Sequence, residues 1–314
     1  MRLPPTPDLR QGAIVRSPER REPGYWAGAP SVLRADGRFW LTYRERRPRD
    51  AAPERGWRCA VAVSDDGVRF DDVWEVRKDE LETDSMERFC LARGAAGFTL
   101  YLSFVDAADG RWRLDAVQAA DPSAFDVSTR RPVLTAASTG TEGVKDPVFL
   151  RAADGDHLFV SYAAARQDLP PKAHATHDIY NVGATTHPTG VAVRTAENGP
   201  FTWQGQVLAV GDGWDRYQAR IGSVVATDGG WVATYDGSAS HHENYEERCG
   251  LAVSEDLRHW VSRTPADPWL PGPGATGSVR YVDLHRIDGE WWIWAEVTRP
   301  DGAHELRVSP RIGA

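Results

Sequence analysis

The sequence lacks any run of about 18 apolar residues, the length that a membrane-spanning helix requires. Its first residues, MRLPPTPDLRQG, lack the apolar segment of a secretory signal peptide. Convincing amphipathic helical patterns are also missing, which excludes a TIM barrel or a Rossmann fold. These absences predict a cytoplasmic protein that does not enter a membrane.

Cysteine is scarce, with only Cys59, Cys90 and Cys249, which lie far apart and form no CxxC pair. Such spacing predicts buried thiols in a reducing compartment, with neither a disulfide framework nor a metal site. The formal net charge of −8 argues against nucleic acid or an anionic membrane surface as a partner. Tryptophan is abundant at 13 residues, which is typical of half-buried sheet surfaces or an aromatic-lined pocket.

Five segments share one pattern: a strand of small residues, a turn with Gly or Asp-Gly, and a strand of alternating aromatics. They are APSVLRADGRFWLTY (29–43), FCLARGAAGFTLYLSF (89–104), DPVFLRAADGDHLFVSY (146–162), IGSVVATDGGWVATYDG (221–237) and YVDLHRIDGEWWIWAE (281–296). Such turns between alternating apolar runs indicate hairpins. A second hairpin follows each of the first four segments, and two hairpins make the four antiparallel strands of a propeller blade.

The repeat predicts one all-β domain, a five-bladed β-propeller with four-stranded antiparallel blades. The predicted blades cover 22–78, 79–135, 136–211, 212–270 and 271–314. The last repeat stops after its third strand, and the segment 11–17 is expected to supply the missing outer strand. That pairing would close the ring and remove an exposed strand edge. An insertion at 166–189 falls between strands two and three of the third blade.

Innermost strands line the centre of a propeller, so equivalent positions in the five repeats should face one another there. The sequence alignment gives these positions as Gly28, Arg88, Asp146, Arg220 and Arg280. Charged residues crowd around them in blades two to five, whereas blade one offers only Tyr25 and Trp26. Burying so many ions is costly unless they pair or bind a ligand. Two hypotheses follow: a structural ring of salt bridges between blades, or the floor of an active site.

Two carboxylates within reach of one scissile bond can divide the duties of general acid and of base or nucleophile. Asp146, between Lys145 and Pro147, is the first candidate for a catalytic residue, and Glu87 and Glu142 compete for the partner role. The predicted substrate-binding residues are Tyr25, Trp26, Asp84, Arg88, Lys145, His177, Arg216, Arg220, Asp236 and Arg280.

Three motifs carry a family resemblance: APSVLRADGRFWLTY in blade one, KDP entering blade three, and the SEDLRHW turn of blade four. They resemble the five-bladed propeller glycoside hydrolases of families 43, 62, 32 and 68 and the related family 130 phosphorylases. The resemblance implies a sugar substrate cleaved by paired acidic residues in the central funnel, without a cofactor. Family 43 hydrolases are similar to one another in an aspartate that starts blade one. Residues 24–30 contain no carboxylate here, so the acid–base pair of that family is not carried over.

The cations of the predicted funnel suggest the charge of the substrate. They are Arg88, Lys145, Arg216, Arg220 and Arg280. Guanidinium groups match carboxylate and phosphate oxygens in a bidentate manner. We therefore expect an anionic group in the funnel, such as a uronic acid, a sugar phosphate or inorganic phosphate. The alternatives to hydrolysis are phosphorolysis and a carbohydrate-binding propeller without chemistry.

The blade-three insertion contains His174, His177 and His187, which could ligate zinc. A polar lid that contacts substrate through His177 or Tyr180 is the favoured interpretation, and no metal is predicted. Glu247 falls in the connection between strands two and three of blade four and is predicted to lie in a solvated loop.

Overall fold

The computed structural model describes residues 3–170, 172–274 and 276–312. These residues form an all-β structure. The strands in chain order are β1 (Ala13–Arg16), β2 (Trp26–Ala35), β3 (Arg38–Arg47), β4 (Arg55–Ser64), β5 (Asp71–Arg77), β6 (Cys90–Gly94), β7 (Gly97–Val105), β8 (Trp112–Ala119), β9 (Arg131–Leu134), β10 (Gly143–Ala152), β11 (Gly155–Ala163), β12 (Thr189–Arg194), β13 (Thr202–Leu208), β14 (Gln218–Thr227), β15 (Gly230–Ser238), β16 (Arg248–Ser254), β17 (Val261–Ser262), β18 (Val279–Ile287), β19 (Glu290–Thr298) and β20 (His304–Ile312).

Helices within the described residues are short. An α-helix, α1, covers Ala136–Thr139, and 3-10 helices cover Leu9–Gln11, Pro122–Ala124, Val127–Thr129, Ile179–Asn181 and His241–Glu243. Within the described ranges, no helix is both long enough and apolar enough to cross a membrane.

The strands group into four-stranded antiparallel units, as the repeat predicts. Unit one is β2–β5, unit two is β6–β9, unit three is β10–β13 and unit four is β14–β17. Unit five consists of β18–β20, and β1 pairs antiparallel with β20 through partners such as Ala13 and Val308. A parallel bridge between Trp26 and His304 joins unit five to unit one.

The units follow one another around a closed circuit. The first strand of each unit contacts the first strand of the next, in the order β2, β6, β10, β14, β18 and back to β2. Hydrophobic clusters fill the spaces between neighbouring units, and each draws its residues from the facing sheets. Burial between sheets therefore holds the ring together.

The insertion in unit three lies between β11 and β12 and forms a small hydrophobic cluster with unit two. Ala173, Ile179 and Tyr180 pack with Val105 and Trp112 of unit two. The segment therefore lies across the ends of two units, on the side where the first strands begin. Cys59, Cys90 and Cys249 are all buried and unpaired by disulfides.

Candidate active site

The register of the first hairpins brings charged residues together at the start of the inner strands. Arg220 pairs with Asp236, and Arg280 pairs with Glu296. Directly paired residues of an antiparallel ladder point to the same face. The first two strands of a unit therefore both deliver side chains to the ring centre.

Bulges at the start of three inner strands add further side chains. Register shifts follow Gly28, Lys145 and Arg280, and the next residues, Ala29, Asp146 and Tyr281, have positive φ values. A bulge inserts an extra residue and re-aims side chains, and such strained backbone clusters at functional sites. The hairpin register pairs Lys145 with Ser161, so Lys145 is equivalent to Arg220. The sequence alignment, which gave this place to Asp146, is wrong by one residue, because Ala152 pairs with Gly155 and Asp154 is therefore the second residue of its turn, whereas Asp36 and Asp288 are the first of theirs.

A buried group of ionisable side chains, here called the central cluster, results from this arrangement. Its members are Arg44, Glu87, Lys145, Asp146, Arg220, Asp236, Glu247, Arg280, Tyr281 and Glu296. The side chain of Glu87 is the most exposed of the carboxylates, at 12%, and those of the other four are at most 1% exposed. Glu87 is therefore the carboxylate nearest to solvent.

Arg220 is the hub of the central cluster. Its Nη1 donates to Asp146 Oδ2 at 2.9 Å and to Tyr281 Oη at 3.0 Å. Its Nη2 donates to Asp236 Oδ2 at 2.7 Å and lies 3.5 Å from Glu247 Oε1. One guanidinium thus links carboxylates from units three and four to the tyrosine of unit five.

Glu87 is held by unit one and unit five. Arg44 donates to its Oε2, and Tyr281 Oη donates to the same oxygen at 2.9 Å. Burial would raise the pKa of Glu87, but nearby positive charges, chiefly Arg44 and Lys145, lower it to about 2. Burial raises the pKa of Tyr281 well above its ordinary value, which keeps this phenol a neutral donor. Glu87 is consequently ionised at neutral pH.

Glu247 and Glu296 share Arg280. The guanidinium Nε of Arg280 contacts Glu247, and its Nη1 donates to Glu296 Oε1 at 3.2 Å. Burial raises the pKa of Glu247, although the charges of Arg280 and Arg220 act in the opposite direction. For Glu296, the charge of Arg280 and the hydrogen bond from His304 outweigh burial and lower its pKa. The pKa values of these two neighbouring glutamates are therefore shifted in opposite directions.

Several of the sequence-predicted site residues meet in the central cluster. They are Glu87, Lys145, Asp146, Arg220, Asp236 and Arg280. Trp26 borders it, because the guanidinium carbon of Arg280 lies 5.1 Å from the Trp26 ring centre. Arg88 is adjacent: its backbone N–H donates to Asp146 Oδ1 at 3.3 Å, while its side chain donates to the Gly222 carbonyl.

The remaining predicted residues lie outside the central cluster. Arg216 is exposed and donates to the carbonyl of Gly213, because it precedes the inner strand. Tyr25 packs under Arg20, with 5.3 Å between the guanidinium carbon and the ring centre. The other three, Glu142, Asp84 and His177, form contacts at the insertion.

Those three contacts tie the insertion to its neighbours. Glu142 Oε2 lies 2.9 Å from His174 Nε2, and exposed Asp84 contacts His177. His187 lies apart, buried against the ring of Tyr180 with its Nε2 2.9 Å from Thr185 Oγ1. In the described ranges, no group of three or more His, Cys, Asp or Glu side chains is arranged to hold a metal ion.

The sequence interpretation missed Arg44 and Glu247. Unit one does contribute charge, but from its second strand, where Arg44 pairs with Gly28. The signal was available, since Arg44, Asp236 and Glu296 each follow an inner-strand position by the same hairpin spacing. The prediction of a solvated loop at Glu247 is wrong: the residue is 1% exposed, because it immediately precedes β16 and points towards Arg280.

The Glu296 side chain occupies the space that a side chain at position 28, on the inner strand of unit one, would need. A Cβ atom at Gly28 would overlap the Glu296 carboxylate, which also accepts a hydrogen bond from the Ala29 N–H at 3.0 Å. The space beside the first strand is therefore filled from unit five.

Gly28→Ala is expected to lower the free energy of unfolding by roughly 1–3 kcal/mol, as overpacking does in a tight site. Chemical denaturation of the purified variant measures this. Gly199→Ala is the matched control, since its Cβ would lie 3.2 Å from the Ala196 carbonyl oxygen, a much milder contact than the overlap with Glu296 Oε2 at Gly28. Equal stability of the two variants would contradict the packing of Glu296 against Gly28.

No protein-family model matches the sequence, and no curated protein matches it. Solved structures do match over nearly the whole chain. A structure named glycoside hydrolase has a TM-score of 0.70 and 11% identity, covering 99% of this chain and 92% of its own. The fold is that of a glycoside hydrolase propeller.

Two further structures identify the type of propeller. The GH43_1 enzyme from Xanthomonas citri complexed with xylose has a TM-score of 0.63 and 13% identity, with coverages of 96% and 91%. A GH43 β-xylosidase/α-arabinofuranosidase from a compost microbial metagenome has a TM-score of 0.62 and 10% identity, with coverages of 96% and 94%. These findings support a family 43-type propeller and do not bear on families 62, 32, 68 and 130.

Proposed function

We propose that this chain is a glycoside hydrolase-like enzyme, and that its five units act as the five blades of a propeller. It cleaves a small glycoside at the end of the ring where the inner strands begin. One observation carries the proposal: Glu87 and Glu247 belong to one buried charge network, yet their pKa values are shifted in opposite directions. Such divergence is how two carboxylates take different roles at one site.

Glu87 is assigned the role of the ionised carboxylate. Its lowered pKa keeps it charged, and its partial exposure lets it meet a sugar or a water molecule. Tyr281 and Arg44 both bind its Oε2 and so hold the carboxylate in one orientation. A fixed, charged carboxylate can serve as the base that activates water or as the nucleophile.

Glu247 is assigned the role of the proton donor. The raised pKa favours its protonated form, which is the form that can protonate the oxygen of a leaving group. Gln218 Nε2 donates to its Oε1 at 3.1 Å, which fixes the carboxyl group beside the inner strand of unit four.

Asp146, the first catalytic candidate from the sequence, is assigned a positioning role. It accepts from Arg220, and Arg220 lies between Tyr281 on the Glu87 side and Glu247. Asp146→Asn would therefore weaken the connection between the two acidic groups.

The proposed substrate is an anionic sugar, but not all of the cations predicted from the sequence are available to bind it. Arg220 and Arg280 are each bound to two or more carboxylates, and Arg216 lies outside the central cluster. Phosphorolysis is the second candidate reaction, since a cation-rich site also suits inorganic phosphate. A carbohydrate-binding propeller or a purely structural salt-bridge ring would show no turnover.

A panel of nitrophenyl glycosides, neutral and uronic, assayed with and without inorganic phosphate, tests the proposal. We expect release of nitrophenol without phosphate, loss of activity in Asp146→Asn, and retained activity in His177→Ala. A rate that requires phosphate would establish phosphorolysis instead. If sugars bind but no glycoside of the panel is turned over, the chain is a carbohydrate-binding propeller and not an enzyme.

A further inference from the structure

Arg46 is a buried cation that forms no salt bridge with any of the described residues. It is one of the β3 residues that follow Arg44, and it is 6% exposed. Within the described residues, no carboxylate lies within salt-bridge distance of its guanidinium, and no hydrogen bond from its side chain is formed. Its guanidinium carbon lies 4.2 Å from the ring centre of Trp26 and 4.6 Å from that of Tyr245.

This burial is costly, because desolvation penalises a charge that makes no salt bridge with a carboxylate of the described residues. Burial accordingly lowers the pKa of Arg46, with the like charge of Arg44 adding to the effect and Tyr245 opposing it. Cation–π contacts with two rings offset part of this cost. Arg220 and Arg280, by contrast, are each neutralised by several carboxylates.

Lys145 is the second cation with a weak partner. Its Nζ lies 3.6 Å from Asp146 Oδ2, an oxygen that Arg220 already binds at 2.9 Å. The ammonium group lies over aromatic rings, 4.4 Å from the centre of Tyr180 and 5.1 Å from that of Trp112. Lys145 therefore keeps most of its capacity to donate hydrogen bonds.

Both cations belong to the surroundings of Glu87. Arg46 lies over the same Trp26 ring as Arg44, the arginine that binds Glu87. The charge of Lys145, the neighbour of Asp146 in the central cluster, lowers the pKa of Glu87. The indole N–H groups of Trp26 and Trp112, whose rings contact these cations, also have no hydrogen-bond partner among the described residues. The region beside Glu87 thus has spare donors and spare positive charge, which is the chemistry that receives an oxyanion.

We propose that Arg46 and Lys145 bind the carboxylate of a uronic acid, with the rings of Trp26 and Tyr245 beside it. The assignment rests on the proposed glycosidase function, because it places the acidic sugar next to Glu87. It replaces the set of cations that the sequence suggested, of which only Lys145 is retained. A guanidinium presents two parallel N–H groups to a carboxylate, and displaced water leaves a dry, aromatic-lined contact.

Isothermal titration calorimetry of the full chain tests the site with four probes: glucuronate, its uncharged methyl ester, glucose and inorganic phosphate. We expect glucuronate to bind roughly 10–100-fold more tightly than its methyl ester, as hydrogen bonds to a charged group imply. Arg46→Gln and Lys145→Met are expected to remove this preference, while Arg46→Lys keeps part of it. Arg216→Gln is the matched control, since that arginine lies outside the central cluster, and it should change nothing.

Equal binding of glucuronate and its methyl ester by the wild-type protein overturns the proposal, whatever the variants do. Phosphate binding that Arg46→Gln abolishes, without any preference for glucuronate, overturns the uronic acid and leaves a site for a free oxyanion. The proposed glycosidase function is tested separately. If glucuronate binds through Arg46 but no glycoside is hydrolysed, the proposed function is wrong and the binding site is retained. Thermal unfolding of each variant shows whether it is still folded. If Arg46→Gln or Lys145→Met does not fold, the proposal is judged on the wild-type preference for glucuronate over its methyl ester and on the partial preference expected of Arg46→Lys.

Discussion

Glu247→Gln is expected to lower kcat/KM on the active glycoside by roughly 10²–10⁴-fold, the usual contribution of a general acid. The amide keeps the size of the side chain and one acceptor oxygen, which can still accept from Gln218 Nε2, whereas the contact with Arg280 loses its charge and an acceptor. What it removes is the proton that the leaving group needs. Steady-state kinetics on the best substrate of the panel measures the loss.

The pH profile separates this role from a structural one. A general acid acts while protonated, so kcat/KM should fall as pH rises through the raised pKa of Glu247. Glu87, with its pKa lowered to about 2, stays ionised across the working range and gives no acidic limb there. In Glu247→Gln the alkaline limb should disappear, and the residual activity should be flat with pH.

Glu246→Gln is the matched control. Glu246 is the neighbouring residue, half-buried, and accepts from Thr298 rather than from the central cluster. It should keep the wild-type rate and the wild-type pH profile. If Glu247→Gln retained the alkaline limb, a different residue would be the proton donor.

Arg220→Met is expected to lower the free energy of unfolding by about 3–5 kcal/mol, the range found when one partner of a buried ion pair is removed. Asp146 and Asp236 would each lose their direct guanidinium bond, and Glu247 would lose a nearby positive charge. Carboxylates that remain buried without a cation are costly because the interior cannot solvate them. Urea denaturation gives the change directly.

The exposed Arg216→Met provides the comparison, and it should change stability by less than about 0.5 kcal/mol, as ordinary surface substitutions do. The double variant Arg220→Met with Asp146→Asn should recover part of the loss, because it removes a buried charge that would keep only Lys145, at 3.6 Å, as a cation. A single variant as stable as wild type would mean that Arg220 does not hold the network together.

Local sequence pattern was sufficient for the hairpins. The Asp-Gly turns at 36–37 and 288–289 lie between β2 and β3 and between β18 and β19, since an alternating apolar pattern and a turn signal act over a few residues. The same pattern misplaced the third inner strand by one residue, because Asp154 is the second residue of its turn and not the first. The bulges at Ala29, Asp146 and Tyr281 were not predicted, since a bulge depends on the partner strand and leaves little trace in composition.

Part of the central cluster was predicted from the sequence. Charge counted along the inner strands led to Arg220, Arg280 and Asp146, but Arg44 and Arg46 lie on β3, the second strand of unit one, and were not predicted. Whether a cation is already neutralised depends on groups far away in the chain. Glu247 meets Arg280 across 33 residues, and Glu87 meets Tyr281 across 194.

The sequence by itself determined the β-strands, their hairpins and the concentration of charge where inner strands begin, because each is a local property of composition and period. The tertiary structure alone decided which charges pair. Arg220 became the hub, Glu296 filled the space beside Gly28, and Arg46 came to lie over Trp26 with no carboxylate of the described residues at salt-bridge distance. The reason is physical: neutralisation falls off with distance, and only the closed ring sets the distances between side chains from different units.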